Sequence, residues 1–220
     1  LLHEFDRTWR GGANIFLSTD DTYLRRYSID STDTLENRFY VEGFRGRSYA
    51  AANAYYFQGL RGTDDPGNTP IVFPKLDYNY VARPDRFGGQ WSVNAGFLAL
   101  TRTDGTDSKR LSGITKWELP HTTRHGDVYR FFSSLQTDAY LASDVVDSDD
   151  PNRILSGFSY RLFPQAGVDW RLPLARKDGR FTQTVEPIVG VILAPNGKNT
   201  DRIPNEDSVS FEFDDTNLFS

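Results

Sequence analysis

Hydrophobic and polar positions alternate with a period of two along most of the chain. From Trp91 one face reads Trp91, Val93, Ala95, Phe97 and Ala99, and the other Ser92, Asn94, Gly96, Leu98 and Leu100. From Leu111 the apolar face is Leu111, Gly113, Thr115, Trp117 and Leu119, against Arg110, Ser112, Ile114, Lys116 and Glu118. Tyr129, Phe131, Ser133, Leu135, Thr137, Ala139 and Leu141 oppose Arg130, Phe132, Ser134, Gln136, Asp138 and Tyr140. Tyr160, Leu162, Pro164, Ala166, Val168, Trp170 and Leu172 oppose Arg161, Phe163, Gln165, Gly167, Asp169 and Arg171. The last case sets Val185, Pro187, Val189, Val191 and Leu193 against Thr184, Glu186, Ile188, Gly190 and Ile192. Successive strand side chains point to opposite faces, so the pattern predicts strands with one apolar and one largely polar face.

Less regular strands are predicted over Asn37–Arg47, Tyr49–Phe57 and Pro74–Val81. No stretch repeats at i, i+3, i+4, i+7, so the chain reads as all-β. Polar connections separate the strands, among them Arg61–Asn68, Thr103–Asp107, Ser143–Asn152 and Arg176–Arg180. Their Gly, Pro and Asp residues supply positive or preset φ and local hydrogen bonds, which makes turns. Neither a repeat nor a linker is visible, which predicts one structural unit. Several alternations run for ten residues or more, whereas a mean soluble strand has about 5–6. An antiparallel transmembrane β-barrel uses such strands, and a large sandwich or solenoid wetted on one face also fits.

Composition narrows the choice. The 220 residues carry 25 Lys and Arg against 30 Asp and Glu, a net charge of −5, which argues against a nucleic-acid partner. No apolar run approaches the ~18 residues of a membrane-spanning helix, a result that leaves barrel strands untouched. Aromatic residues reach 14% at a mean hydropathy of −0.55, high for so polar a chain. There is no Cys, which removes disulfides and thiolate chemistry from this stretch. There is also no Met, which leads to the expectation of a processed chain or a segment excised from a longer one, with any signal peptide outside it.

Trp91, Trp117, Tyr129, Tyr160 and Trp170 fall at or near the ends of apolar faces. Aromatic rings whose N–H or O–H prefers water suit a membrane interface, and they are also ordinary sheet residues. Arg110, Lys116, Glu118, Arg130, Asp138, Arg161, Asp169, Arg171 and Glu186 are predicted to share the polar side. In a barrel that side lines a hydrated lumen where opposite charges pair across strands; in a soluble sheet it meets solvent. Pro164 and Pro187 interrupt two apolar faces, and a bulge is the favoured explanation over weakened pairing.

Chemistry is sparse. His121 and His125 share the turn Pro120–Gly126 and read as a solvated turn, since a metal site needs three or four convergent ligands. The Asp-rich stretch Asp144–Asp150 matches no calcium-loop spacing and reads as a solvated loop. No nucleophile elbow, P-loop or dinucleotide fingerprint is present. The reading is of a non-enzyme without cofactor, metal or catalytic residues.

One ordered set of motifs remains. It begins with Asp21-Thr22-Tyr23-Leu24-Arg25-Arg26-Tyr27 and Thr34-Leu35-Glu36-Asn37. Tyr55–Leu60 follows, then Pro74-Lys75-Leu76-Asp77-Tyr78, Thr101–Asp107 with Arg110, Trp117-Glu118-Leu119-Pro120 and Thr137-Asp138-Ala139-Tyr140. Val185-Glu186-Pro187, Pro204–Ser208 and Asp214–Phe219 close it. In this order they resemble the barrel region of the LPS-assembly outer-membrane protein family (LptD, also called OstA), over most of residues 20–220, with the first twenty fitting the end of a preceding strand and its loop.

The resemblance implies that residues 1–220 are the middle part of one outer-membrane β-barrel domain, with a periplasmic jelly-roll domain and the closing strands outside it. It implies a bacterial outer-membrane translocon that inserts lipopolysaccharide into the outer leaflet. Its implied partners are lipopolysaccharide, an LptE-like lipoprotein plug and periplasmic LPS-transport bridge proteins. The family's lateral gate and disulfides lie outside this stretch, so no gate role passes to Pro164 or Pro187. The rival readings are another outer-membrane channel, porin or receptor, and a soluble carbohydrate-binding β-protein. An outer-membrane phospholipase ranks last, for want of a nucleophile–base pair.

Overall fold

The computed structural model describes residues 1–20, 23–27, 32–146 and 154–196. Among these residues twelve strands and one helical turn follow in chain order: β1 (Leu2–Glu4), β2 (Trp9–Asn14), α1 (Tyr23–Arg26), β3 (Thr34–Arg45), β4 (Ser48–Gly59), β5 (Ile71–Val81) and β6 (Gln90–Thr101). Then come β7 (Asp107–Thr122), β8 (Val128–Val146), β9 (Ile154–Arg171), β10 (Leu174–Asp178), β11 (Phe181–Val185) and β12 (Ile188–Leu193). Ten strands form one open sheet in the order β1 to β9 and then β12, while β10 and β11 form a separate hairpin. Every pairing is antiparallel. An open meander of long amphipathic strands is the form a partial barrel takes.

The alternation fixes the faces because paired residues share a side of the sheet. Trp91 pairs Trp117, Trp117 pairs Ser133, and Ser133 pairs Ala166. Phe97, Leu111, Ala139 and Tyr160 form a second such row. The apolar face therefore continues unbroken from strand to strand.

Connections differ at the two ends. One end carries the turns at 5–8, 46–47, 82–89 and 123–127 together with the connection 172–187, which contains the β10–β11 hairpin; the other carries the connections at 15–33, 60–70 and 102–106. The two-residue turn places Gly46 at φ 63°, which the twist of a tight hairpin demands. At the short-turn end the strand starts step steadily. β4 begins two residues beyond the row of Trp9, where β2 starts. β6 begins three residues beyond β4, and β8 four beyond β6. That is about 1.5 residues per strand, which at ~3.3 Å per residue and ~4.8 Å between strands inclines the strands by about 45° to the line of turns. Barrel closure needs a tilt of about that size.

Several boundaries differ from the sequence reading. The first twenty residues contain two paired strands, β1 and β2, where the tail of one was expected. His121 lies within β7 opposite Tyr129, so only His125 is in the turn. β8 runs on to Val146, through the start of the predicted loop Ser143–Asn152; residues 147–153 lie outside the described residues. The motifs Pro204–Ser208 and Asp214–Phe219 also lie outside them. The predicted strand through Val185–Leu193 is broken at Glu186-Pro187, where β11 ends and β12 begins. The other proline interruption is not a bulge: Pro164 pairs Leu135 in unshifted register. The β12 pairing with β9 stops at Ala166, so Pro164 occupies a stretch with one unpaired side, where a missing N–H costs little. A register shift occurs instead between Val72 and Lys75, around Phe73-Pro74.

Candidate functional site

Polar-face side chains of β7, β8 and β9 meet in cross-strand rows, of which Ser112–Asp138–Arg161 is the most central. The Asp138 side chain has no solvent exposure. Its Oδ2 accepts from Arg161 Nη2 at 2.7 Å and Nε at 3.1 Å, and from Gln136 Nε2 at 3.0 Å. Arg110 Nη2 stands 3.8 Å from Oδ1, and its guanidinium lies over the Tyr140 ring at 5.4 Å. Two guanidinium groups thus face one buried carboxylate. A buried carboxylate requires such partners, because desolvating an unpaired charge is expensive.

A second cluster lies nearer the turns. Arg130 and Asp169 are register partners, with Arg130 Nε donating to Oδ2 at 2.8 Å. Arg130 Nη1 is 3.9 Å from Glu118 Oε1, a contact exposed enough to be screened. Arg171 approaches Glu186 at 3.7 Å. Glu186 makes this contact although it lies in the β11–β12 break and not on a strand. Lys116 lies between Ser92 and Ser134 and has no ion pair among the described residues.

The same face extends over β2 to β5 through residues the sequence reading passed over. Arg10 Nε donates to Glu42 Oε1 at 2.7 Å, and Tyr49 Oη to Glu42 Oε2 at 3.0 Å. Arg38 Nη2 donates to Asn53 Oδ1 at 2.7 Å, with its guanidinium 4.6 Å from the Tyr40 ring. The alternation of Arg38, Tyr40 and Glu42 was a usable signal. What was missing was the knowledge of which strand stands opposite.

On the other face Trp91 and Trp117 are directly paired with ring centroids 6.4 Å apart, and Tyr129 is opposite Trp170. All four sit near the short turns. Tyr160 is ten residues from Trp170 on the same face of β9, toward the opposite end. The indole of Trp170 donates to Asp127 Oδ1 at 2.9 Å, and Thr123 Oγ1 donates to Oδ2 at 3.0 Å. Those bonds hold the Asp127 carboxyl below the usual carboxylate range. Asp85 is lowered likewise, chiefly by the Phe87 N–H and also by the Gly89 N–H and the Trp117 indole. Trp117 and Trp170 therefore each present the ring to the apolar face and the N–H to a turn carboxylate, an arrangement the sequence reading did not foresee.

The apolar side chains are not covered. Leu111 is 55% exposed, Leu162 58% and Tyr160 69%, whereas Asp138 on the opposite face is 3% exposed. A sheet built for water does the reverse. A family model described as LPS transport system D (LptD) matches residues 2–220. The chain belongs to the LptD family. No curated protein matches the sequence. Membership in the LptD family is membership in an LPS-transport family, and it separates the chain from porins and receptors that share its alternating pattern. It also gives the two faces a rationale, since an LPS transporter must handle a sugar-rich, charged head and acyl chains together.

Proposed function

We propose that this chain is part of the wall of an outer-membrane β-barrel that delivers lipopolysaccharide to the outer leaflet. The observation that carries the reading is the exposed apolar face, continuous across the sheet and backed by a face of paired charges. Family membership supplies the passenger. On this reading the apolar face meets lipid, and Arg110, Lys116, Glu118, Arg130, Asp138, Arg161, Asp169, Arg171 and Glu186 face a hydrated lumen. Trp91, Trp117, Tyr129 and Trp170 form the interfacial belt at the short-turn end, and Tyr160 belongs to the opposite belt. The ten-residue separation of Trp170 and Tyr160 agrees with the ~9–11 residues of a tilted membrane strand.

Short turns mark the periplasmic side of outer-membrane barrels, and longer loops the external side. The barrel would close through strands added at the open edges of β1 and β12. An LptE-like lipoprotein plug would occupy the lumen, and periplasmic bridge proteins would deliver the substrate. The test is depletion of the full-length protein in the organism that carries it, with newly made LPS quantified at the cell surface and in the inner membrane. Loss of surface LPS with accumulation inside, before other barrels decline, supports the reading. Unchanged delivery removes the LPS function and leaves the barrel.

A further inference from the structure

The apolar face contains a hollow at its short-turn end. Trp9, Gly43, Ala50 and Tyr78 are successive members of one cross-strand row. The Trp9 indole folds over Gly43, whose missing side chain leaves it room: a Cβ there would stand 2.7 Å from the ring. Ala50 and Ser48 are too short to fill the space between that indole and the rings of Tyr78 and Tyr80. The result is a cavity of about 840 Å³, lined largely by apolar and aromatic groups. That volume is within the range of sites that hold small ligands.

The rim of the cavity is cationic. Arg45, Arg47 and Arg83 line it from the 46–47 and 82–89 turns and the strand end beside them. All three side chains are exposed, and among the described residues none has a carboxylate within ion-pair distance. The nearby acids are committed elsewhere, Glu42 to Arg10 and Tyr49, and Asp85 to its own turn. The wider end shares this sign. Among the described residues, the connections there, counting 5–8 and 172–187, carry eight Arg or Lys and five Asp or Glu, while those at the other end carry four and five.

We propose that this hollow is a binding site for one anionic glycerophospholipid, with an acyl chain between Trp9 and the two tyrosines and the phosphodiester on the three arginines. Guanidinium groups suit phosphate oxygens because their planar fork donates two parallel hydrogen bonds. The site rests on reading this face as lipid-facing. Its end of the sheet is the one proposed as periplasmic, where the leaflet consists of phospholipid and not of lipopolysaccharide.

The test uses the full-length protein, purified with whatever co-purifies and equilibrated with equal amounts of phosphatidylglycerol and phosphatidylethanolamine of identical chains. Native mass spectrometry then counts the retained lipid. The wild type retains phosphatidylglycerol preferentially. Each Arg→Gln change at 45, 47 or 83 lowers that retention roughly fivefold, because an arginine beside an anionic headgroup contributes about 1 kcal/mol. Ala50→Phe fills the hollow and abolishes retention with the arginines intact, whereas Arg124→Gln, in another turn, changes nothing. Equal retention of both lipids by the wild type overturns the site without reference to any variant, as does lipopolysaccharide as the retained species. If the protein is found outside the membrane fraction, the barrel reading itself has failed. A membrane-embedded, LPS-delivering protein without lipid preference defeats only this inference.

Discussion

The two faces of β9 carry opposite arrangements on one backbone. Phe158, Tyr160 and Leu162 stand exposed, with only ring-to-ring contacts such as Phe158–Tyr160 at 6.3 Å between them. Arg161 and Asp169, one residue out of phase, are locked into ion pairs with β8. The polar face pairs most of its charges across strands, whereas the apolar face needs an external partner. The chain's stability therefore depends on its solvent on one side and on its own register on the other. A one-residue slip would exchange the two and lose both.

The most severe way to break that contrast is to place a charge on the apolar face. Leu135→Arg should destabilise the full-length barrel by about 2–4 kcal/mol, the cost of a cation near the bilayer midplane, read as a lower urea midpoint in lipid. Ser134→Glu, its neighbour on the polar face and opposite Lys116, should change the midpoint by less than about 0.5 kcal/mol. Equal effects at the two positions would mean that neither face is in lipid.

A smaller effect sharpens the polar side. Asp138→Ala leaves Arg110 and Arg161 facing each other across a buried gap and should cost about 1–3 kcal/mol. Glu118→Ala removes a contact that is half exposed at 3.9 Å and should be close to neutral. The ranking of these two variants in one unfolding series checks whether burial, more than charge count, organises this face.

The turns give the smallest effect. Asp6, Asp85 and Asp127 are held below the ordinary carboxylate range, Asp6 by the N–H groups of Thr8 and Trp9. A depressed folded-state pKa stabilises fully above the unfolded value of about 3.9 and is lost as the pH falls through the folded value. Unfolding midpoints should therefore be flat from neutral pH down to about 4 and then drop. Asp127→Ala should lower the neutral midpoint, reduce that acid drop and change the Trp emission, since the Trp170 indole loses its acceptor.

Much of this was legible in the sequence. The alternations from Trp91 to Trp170 assigned each residue to its observed face, because a period of two is a local property. What escaped was non-local. The Arg10–Glu42 and Arg38–Asn53 bonds depend on which strands pair and in what register. The break at Glu186-Pro187 escaped for a different reason: Val185 and Val189 keep the same parity on either side of it, so the alternation reads through. The indole–carboxylate bonds were hidden because a Trp near a strand end says nothing about the turn next door.

The central claim is that odd and even positions of β8 face different solvents. Single cysteines from Ser133 to Tyr140 in the full-length protein, embedded in its native membrane, test it through reaction with a bulky water-soluble maleimide, with the unsubstituted protein as background. The account predicts alternation: the Ser134 and Gln136 positions react, the buried Asp138 and Tyr140 positions react more slowly, and Ser133, Leu135, Thr137 and Ala139 are protected until detergent strips the lipid. Uniform reactivity, or protection of the even positions alone, would contradict it.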